Sequence, residues 1–109
     1  MVDNATQLRK GVLELAILAL LQSSPQYGGQ IVDALAHAGL ESSAGTVYPL
    51  LTRLAKAGLL STQWRESPAG PPRKYYSITH TGKRALAAQA RLWRDMNAAV
   101  NSLLGADHA

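Results

Sequence analysis

Ser43, Gly45, Thr46, Tyr48, Pro49, Thr52 and Arg53 lie between or beside a run of apolar residues at helical spacing. Their chemistry is that of recognition rather than bond-making. They offer hydroxyl donors and acceptors and one guanidinium, with no base beside a nucleophile. Further along, Arg73 and Lys74 add two cations of the kind that pair with phosphate or carboxylate. Reactive groups are scarce elsewhere. The chain has no Cys, and His37, His80 and His108 lack the spacing of metal ligands. No Gly-rich phosphate loop and no paired carboxylates for acid–base work are present. Ser42-Ser43 reads as a helix cap, not as a nucleophile. The expectation is a protein that is not an enzyme and that takes no cofactor and no metal.

The partner of such a recognition surface is constrained by charge. The net charge is +4 over 109 residues. Residues 1–60 are balanced, with Arg9, Lys10, Arg53 and Lys56 against Asp3, Glu14, Asp33 and Glu41. Residues 61–94 hold seven basic groups against Glu66 alone. A local excess of this kind suits a polyanion, and a merely solvated surface is its competitor. Lys83, Arg84, Arg91 and Arg94 read as that solvated face. The longest apolar stretch, Val12 to Leu21, contains Glu14 and is about half of the ~20 residues a bilayer requires. No cleavage site follows Arg9 and Lys10. A cytoplasmic chain without membrane attachment is expected.

These residues need elements to position them. Apolar residues from Leu8 to Leu21 cover nearly every side of a helical wheel, as in a helix that is buried or lies in an interface. Ser23-Ser24-Pro25 is a turn signal, with Ser24 as a cap and Pro25 as the first helical residue. A second helix is predicted from about Tyr27 to His37, with Ile31, Leu35 and Ala34 inward and Gly39 ending it. Ser43 caps a third. There Val47, Leu50, Leu51, Leu54 and Ala57 follow amphipathic spacing, and Gly58 stops it. Pro49 distorts the early turns at little cost, because few bonds exist there to lose. The period then changes to two. Leu60 to Arg65 and Arg73 to Ile78 read as strands, with Ser67-Pro68-Ala69-Gly70-Pro71-Pro72 as the loop between them. Thr79 caps a last helix from about His80 to Leu104, roughly 36 Å long. Along it Leu86, Trp93 and Val100 are seven apart, and Ala90, Met96 or Asn97, and Leu103 or Leu104 continue the pattern, as in a coiled-coil seam.

Three helices, a hairpin and a long helix are the order of a winged helix-turn-helix. The fold class is mainly α with a small β-hairpin (α+β). Residues 1–79 form the winged domain, and 80–109 form a C-terminal dimerisation helix and tail within one compact unit. In such folds the third helix enters the DNA major groove and the wing touches the backbone or the minor groove. Tyr27, Ser43, Gly45, Thr46, Tyr48, Pro49, Thr52, Arg53, Arg73 and Lys74 are the candidate DNA contacts, and Arg9 and Lys10 are further cations. Tyr48 has a competing role as a surface aromatic, Tyr27 as a packing anchor, and Arg53 as half of an internal ion pair.

The run Ser43-Ala44-Gly45-Thr46-Val47-Tyr48-Pro49-Leu50-Leu51-Thr52-Arg53-Leu54, ending at Gly58-Leu59-Leu60, resembles the recognition helix of the PadR family of transcriptional regulators. Gly70-Pro71-Pro72-Arg73-Lys74-Tyr75-Tyr76-Ser77-Ile78-Thr79, then Gly82, is similar to that family's wing. Leu13-Glu14-Leu15-Ala16-Ile17-Leu18 and Tyr27-Gly28-Gly29-Gln30-Ile31 resemble its first two helices. A single helix after the wing is similar to the family's compact branch. The resemblance implies a homodimer held by the first and last helices, which places Leu15, Leu18, Leu86, Ala90, Trp93, Met96, Val100 and Leu103 in the interface. It implies binding of double-stranded DNA at an inverted repeat, usually for repression, and release by a small aromatic or drug-like effector. Trp93 is the candidate effector contact as well as a dimer-core residue. Two other classes compete: a winged helix that binds protein instead of DNA, and a small-molecule carrier or enzyme built on the dimer cavity.

Overall fold

Leu13, Ile17, Leu18 and Leu21 are all buried, and this sets the first helix in the centre of the molecule. In the computed structural model, which describes residues 11–105, this helix is α1 (Leu13–Leu20). Residues 8–10 of the expected helix, the cations Arg9 and Lys10, and His108 lie outside the described residues. The side of α1 that the core leaves half-covered carries Leu15, Ala16 and Ala19.

Ser24 and Pro25 do not open the second helix. Gln26–Tyr27 first form a two-residue strand, β1, and only then does α2 (Gly28–His37) begin. Tyr27 is its N-cap residue, and the Tyr27 backbone N–H donates to Gln30 Oε1 at 3.0 Å. Gln30 thus satisfies a backbone donor from the third helical position, as in one half of a capping box. Ile31 and Leu35 face the core as expected, and Gly39 follows the helix at φ 87°. Ser43 is the N-cap residue of α3 (Ala44–Lys56), but its hydroxyl makes no bond to the helix backbone; Val47, Leu51 and Leu54 of α3 are buried, and Gly58 at φ 81° turns the chain out of it. Both glycines occupy the left-handed region that side-chain-bearing residues avoid.

The hairpin is longer than its sequence pattern. β2 (Leu60–Ser67) and β3 (Gly70–Ile78) meet at a turn of only Pro68 and Ala69, so Pro71 and Pro72 belong to a strand and not to a loop. Pairing runs from Leu60↔Ile78 to Arg65↔Arg73, then shifts to Ser67↔Gly70. One residue of β2 therefore faces two of β3, Pro71 and Pro72. A bulge is where a strand tolerates proline, because an extra residue is already out of the ladder. β1 pairs antiparallel to β3 on its other side, Gln26↔Tyr76 and Tyr27↔Tyr75, giving a three-stranded sheet in the order β1-β3-β2.

Thr79 caps α4 (His80–Leu104) as expected. Its Oγ1 accepts from Gly82 N–H at 2.9 Å, and its hydroxyl lies 2.7 Å from the Gly58 carbonyl and 3.0 Å from that of Leu59. One side chain thus ties the helix start to the α3–β2 junction. Leu86 of α4 closes the single core, which Leu60 and Tyr76 join from the sheet. Every residue of α4 from Arg91 to Leu104 is exposed.

Leu18 requires a correction. It is fully buried among residues of its own chain, so it presents no surface to a partner. Of the residues assigned to an interface, Leu15 and Ala90 are half-covered, Leu86 is at the core's edge, and Trp93, Met96, Val100 and Leu103 are exposed. Among the described residues, no helix is long and apolar enough to cross a membrane.

Candidate nucleic-acid interface

Burial of Val47, Leu51 and Leu54 turns the opposite side of α3 outward. Ser43, Gly45, Tyr48, Pro49, Thr52 and Arg53 are exposed there, and Thr46 is partly so. The face is internally ordered. Ser43 Oγ lies 3.2 Å from Thr46 Oγ1, and the Thr52 hydroxyl donates to the Tyr48 carbonyl at 3.2 Å. Pro49 removes the N–H that would otherwise pair with the carbonyl of Gly45. Pro49 is exposed, and the helix continues past it to Lys56.

Tyr48 leans back onto α2. Its ring occupies the space where a Cβ on Gly28 would sit, with Oη 2.6 Å from that position. Gly28 is therefore required for the seat of Tyr48. Arg53 is paired with Glu14 of α1, so the ion-pair alternative holds for the unbound protein. Both groups keep solvent access, and an ion pair in that setting is worth little, about 0–1 kcal/mol. Arg53 remains free to exchange that partner for another anion.

The wing stands beside this helix. Strand alternation puts Trp64, Lys74 and Tyr76 on one face and Arg65, Arg73 and Tyr75 on the other. Arg73 and Lys74 are exposed as expected, and with Tyr27, Tyr48, Trp64 and Tyr76 they line a shallow notch between wing and α3. Tyr76 is the buried floor of the sheet. Desolvation, with the nearby Tyr48 phenol second, raises its pKa above the ordinary tyrosine value. Its hydroxyl is neutral throughout the neutral pH range. The Tyr27 ring sits edge-on to Tyr75 with centroids 5.5 Å apart, the contact that a packing anchor makes.

On the far side of the molecule, Leu15 and Ala19 of α1 and Leu86, Ala90 and Trp93 of α4 line a groove with Lys83, Arg91 and Arg94 at its edge. The last three are exposed, in keeping with the solvated face read from the sequence, and they also border this groove. Among the described residues, no group of His, Asp or Glu could hold a metal ion.

The family model described as the PadR-like transcriptional regulators matches residues 17–88, which run from the second half of α1 through α2, α3 and the hairpin to the start of α4. The chain belongs to this PadR-like family. A PadR-like transcription factor from Bacteroides fragilis is 45% identical, with TM-score 0.76, over 93% of this chain and 99% of that one. A PadR family transcriptional regulator from Eggerthella lenta is 38% identical, with TM-score 0.82, over 90% and 86%. Bacillus subtilis PadR, solved in complex with operator DNA, is 26% identical with TM-score 0.68, over 72% of this chain and 46% of that one. The fold is accordingly a winged helix with a long C-terminal helix. The PadR-like family is one of transcriptional regulators, not of enzymes.

Sequence reasoning misses two features of this PadR-like interface. Arg65 is a wing cation beside Arg73, and Trp64 is 66% exposed at the notch. The signal is present in the alternation of β2, which places Arg65 on the face opposite Leu60. It is weak because Arg65 stands alone in the sequence, whereas Arg73 and Lys74 sit side by side.

Proposed function

We propose that the protein is a homodimeric repressor that binds an inverted-repeat operator through α3 and the wing. One observation carries the reading: an exposed, polar face on α3 lies directly beside a wing bearing exposed cations, with a buried apolar side holding both in place. The operator complex of Bacillus subtilis PadR supports it as a likeness of fold. Thr46, Tyr48 and Pro49 would meet base edges, and Arg53, Arg73 and Lys74 would meet phosphates. The operator sets two recognition helices about 34–36 Å apart. The exposed seam of α4 and the half-covered Leu15 supply the dimer contact.

The groove beside Trp93 is the proposed seat of a small aromatic or drug-like effector. Its volume, ≈ 730 Å³, lies within the ~300–1,000 Å³ of small-molecule pockets. A flat indole offers stacking to an aromatic guest. Release of DNA then requires that the guest prefer one spacing of the two wings over another.

Fluorescence anisotropy on the region upstream of the protein's own gene tests the DNA reading. The triple variant Arg53→Ala, Arg73→Ala, Lys74→Ala should bind at least about tenfold more weakly. Its salt slope should be lower by about 3, because each of the three cations neutralises one phosphate. Binding without salt dependence, or a triple variant equal to wild type, would sink it. Gly28→Ala is a finer probe. It keeps the chain folded but unseats Tyr48, so operator affinity should fall about tenfold, or about 1.4 kcal/mol, while the melting temperature moves little. Equal affinity would remove Tyr48 from the interface.

A further inference from the structure

Arg65 and Arg73 face each other directly across the β2–β3 ladder, on the outer side of the wing. Like charges placed so repel one another. Among the described residues the ion pair found is that of Arg53 with Glu14, and no carboxylate pairs with either wing arginine. Aromatic rings take that place. The Arg65 guanidinium carbon lies 4.5 Å from the centroid of Tyr75, and that of Arg73 lies 4.4 Å from the centroid of Tyr27. The two rings meet edge to face at 71°. The result is a continuous row, Arg65–Tyr75–Tyr27–Arg73, running across all three strands.

The geometry points to a positioning role for Tyr75 and Tyr27: they hold Arg65 and Arg73 as a pre-ordered pair of phosphate-binding forks. A guanidinium stacked on a ring uses its face and keeps its in-plane N–H groups, which are the ones that grip a phosphate in bidentate fashion. A free arginine side chain loses rotamer freedom when it binds, and one already laid on a ring has lost much of it beforehand. The arrangement also pulls the two like charges onto separate rings. Arg65 thereby becomes a DNA contact of the wing equal to Arg73, and Tyr75, half-covered in this row, acts by holding Arg65. The inference rests on the reading of the wing as a DNA-contacting element.

Phosphate contacts are sequence-independent, so the test uses the full chain and a mixed-sequence duplex of about 30 base pairs, titrated between about 50 and 200 mM salt. Arg65→Ala should weaken binding about fivefold and lower the salt slope by about 1. Tyr75→Leu should weaken it to a similar degree, Tyr75→Phe should bind like wild type, and Arg65→Ala with Tyr75→Leu together should be no worse than either alone. Arg65→Lys changes only an exposed side chain and keeps the charge, yet should also weaken binding, because an ammonium cannot form the fork. The same pattern is expected of Tyr27→Leu and Tyr27→Phe against Arg73→Ala. Additive effects in the double variants, or Arg65→Lys equal to wild type, overturn the positioning role while leaving DNA binding intact. Tyr27→Phe as weak as Tyr27→Leu would assign that residue a hydroxyl contact and remove it from the row. A wild-type chain with no salt-dependent binding overturns both this inference and the reading it rests on.

Discussion

Gly82→Ala should lower the melting temperature by more than about 10 °C, the shift expected for a loss of about 3 kcal/mol in a domain of this size. Helix propensity alone predicts the reverse, since alanine is favoured over glycine inside a helix by about 1 kcal/mol. Sterics decide the sign. A Cβ at position 82 runs into the backbone carbonyl oxygen of Leu59 and lies 2.8 Å from Ile78 Cγ1. A flexible side chain would swing aside, but this carbonyl is fixed. It accepts the backbone N–H of Thr79 at 3.1 Å and has the Thr79 hydroxyl 3.0 Å away. Moving it breaks the tie between α4 and the α3–β2 junction; moving α4 instead withdraws Leu86 from the core and the Thr79 cap from Gly82. Overpacking in a tight site costs about 1–3 kcal/mol, and this one sits at the upper end because both sides of the clash are backbone. Thermal unfolding followed by circular dichroism measures it. A variant that melts at or above the wild-type temperature would show that the close approach of α4 to Leu59 is not required.

The elements with a strong period are the ones legible in the sequence. α3 can be read because Val47, Leu51 and Leu54, three and four apart, leave one face polar, and α4 because its cap Thr79 is followed by apolar residues seven apart. β1 has two residues and therefore no period, so Ser24 and Pro25 read as a helix start. Pro71 and Pro72 read as loop because proline cannot donate to a ladder; the bulge that accommodates them depends on where β2 pairs, which no local pattern states. The candidate site shows the same division. The outward residues of α3 follow from the helical wheel. The pairing of Arg53 with Glu14 joins positions 39 residues apart, and the stacking of Arg65 on Tyr75 depends on strand register. Such contacts are set by the tertiary fold, so the residue types are visible in the sequence and their partners are not.

The seam of α4 gives the second large effect. Val100→Asp should turn the proposed dimer into a folded monomer in sedimentation velocity and weaken operator binding by a factor of about 10²–10⁴, the gain that linking two binding units supplies. Val100 is 51% exposed in the single chain, so the substitution removes nothing from the core, and the melting temperature of the isolated fold should change little. In a two-fold interface each substitution appears twice and faces the same patch on the partner, so two buried carboxylates are introduced without counter-ions. Leu103, 87% exposed near the end of the helix, should give a weaker effect when changed in the same way, because it lies farther from the centre marked by Trp93. Leu18→Asp discriminates between interface and core. It lies on the same helix as Leu15 yet is fully buried in its own chain, so it should unfold the protein and not merely dissociate it. The reason is physical: a helix apolar on all sides must be covered on all sides, and the wheel of α1 does not say which side its own chain covers. If Val100→Asp stays dimeric, the two subunits meet somewhere other than this seam, and the groove beside Trp93 loses its place at the centre of the assembly.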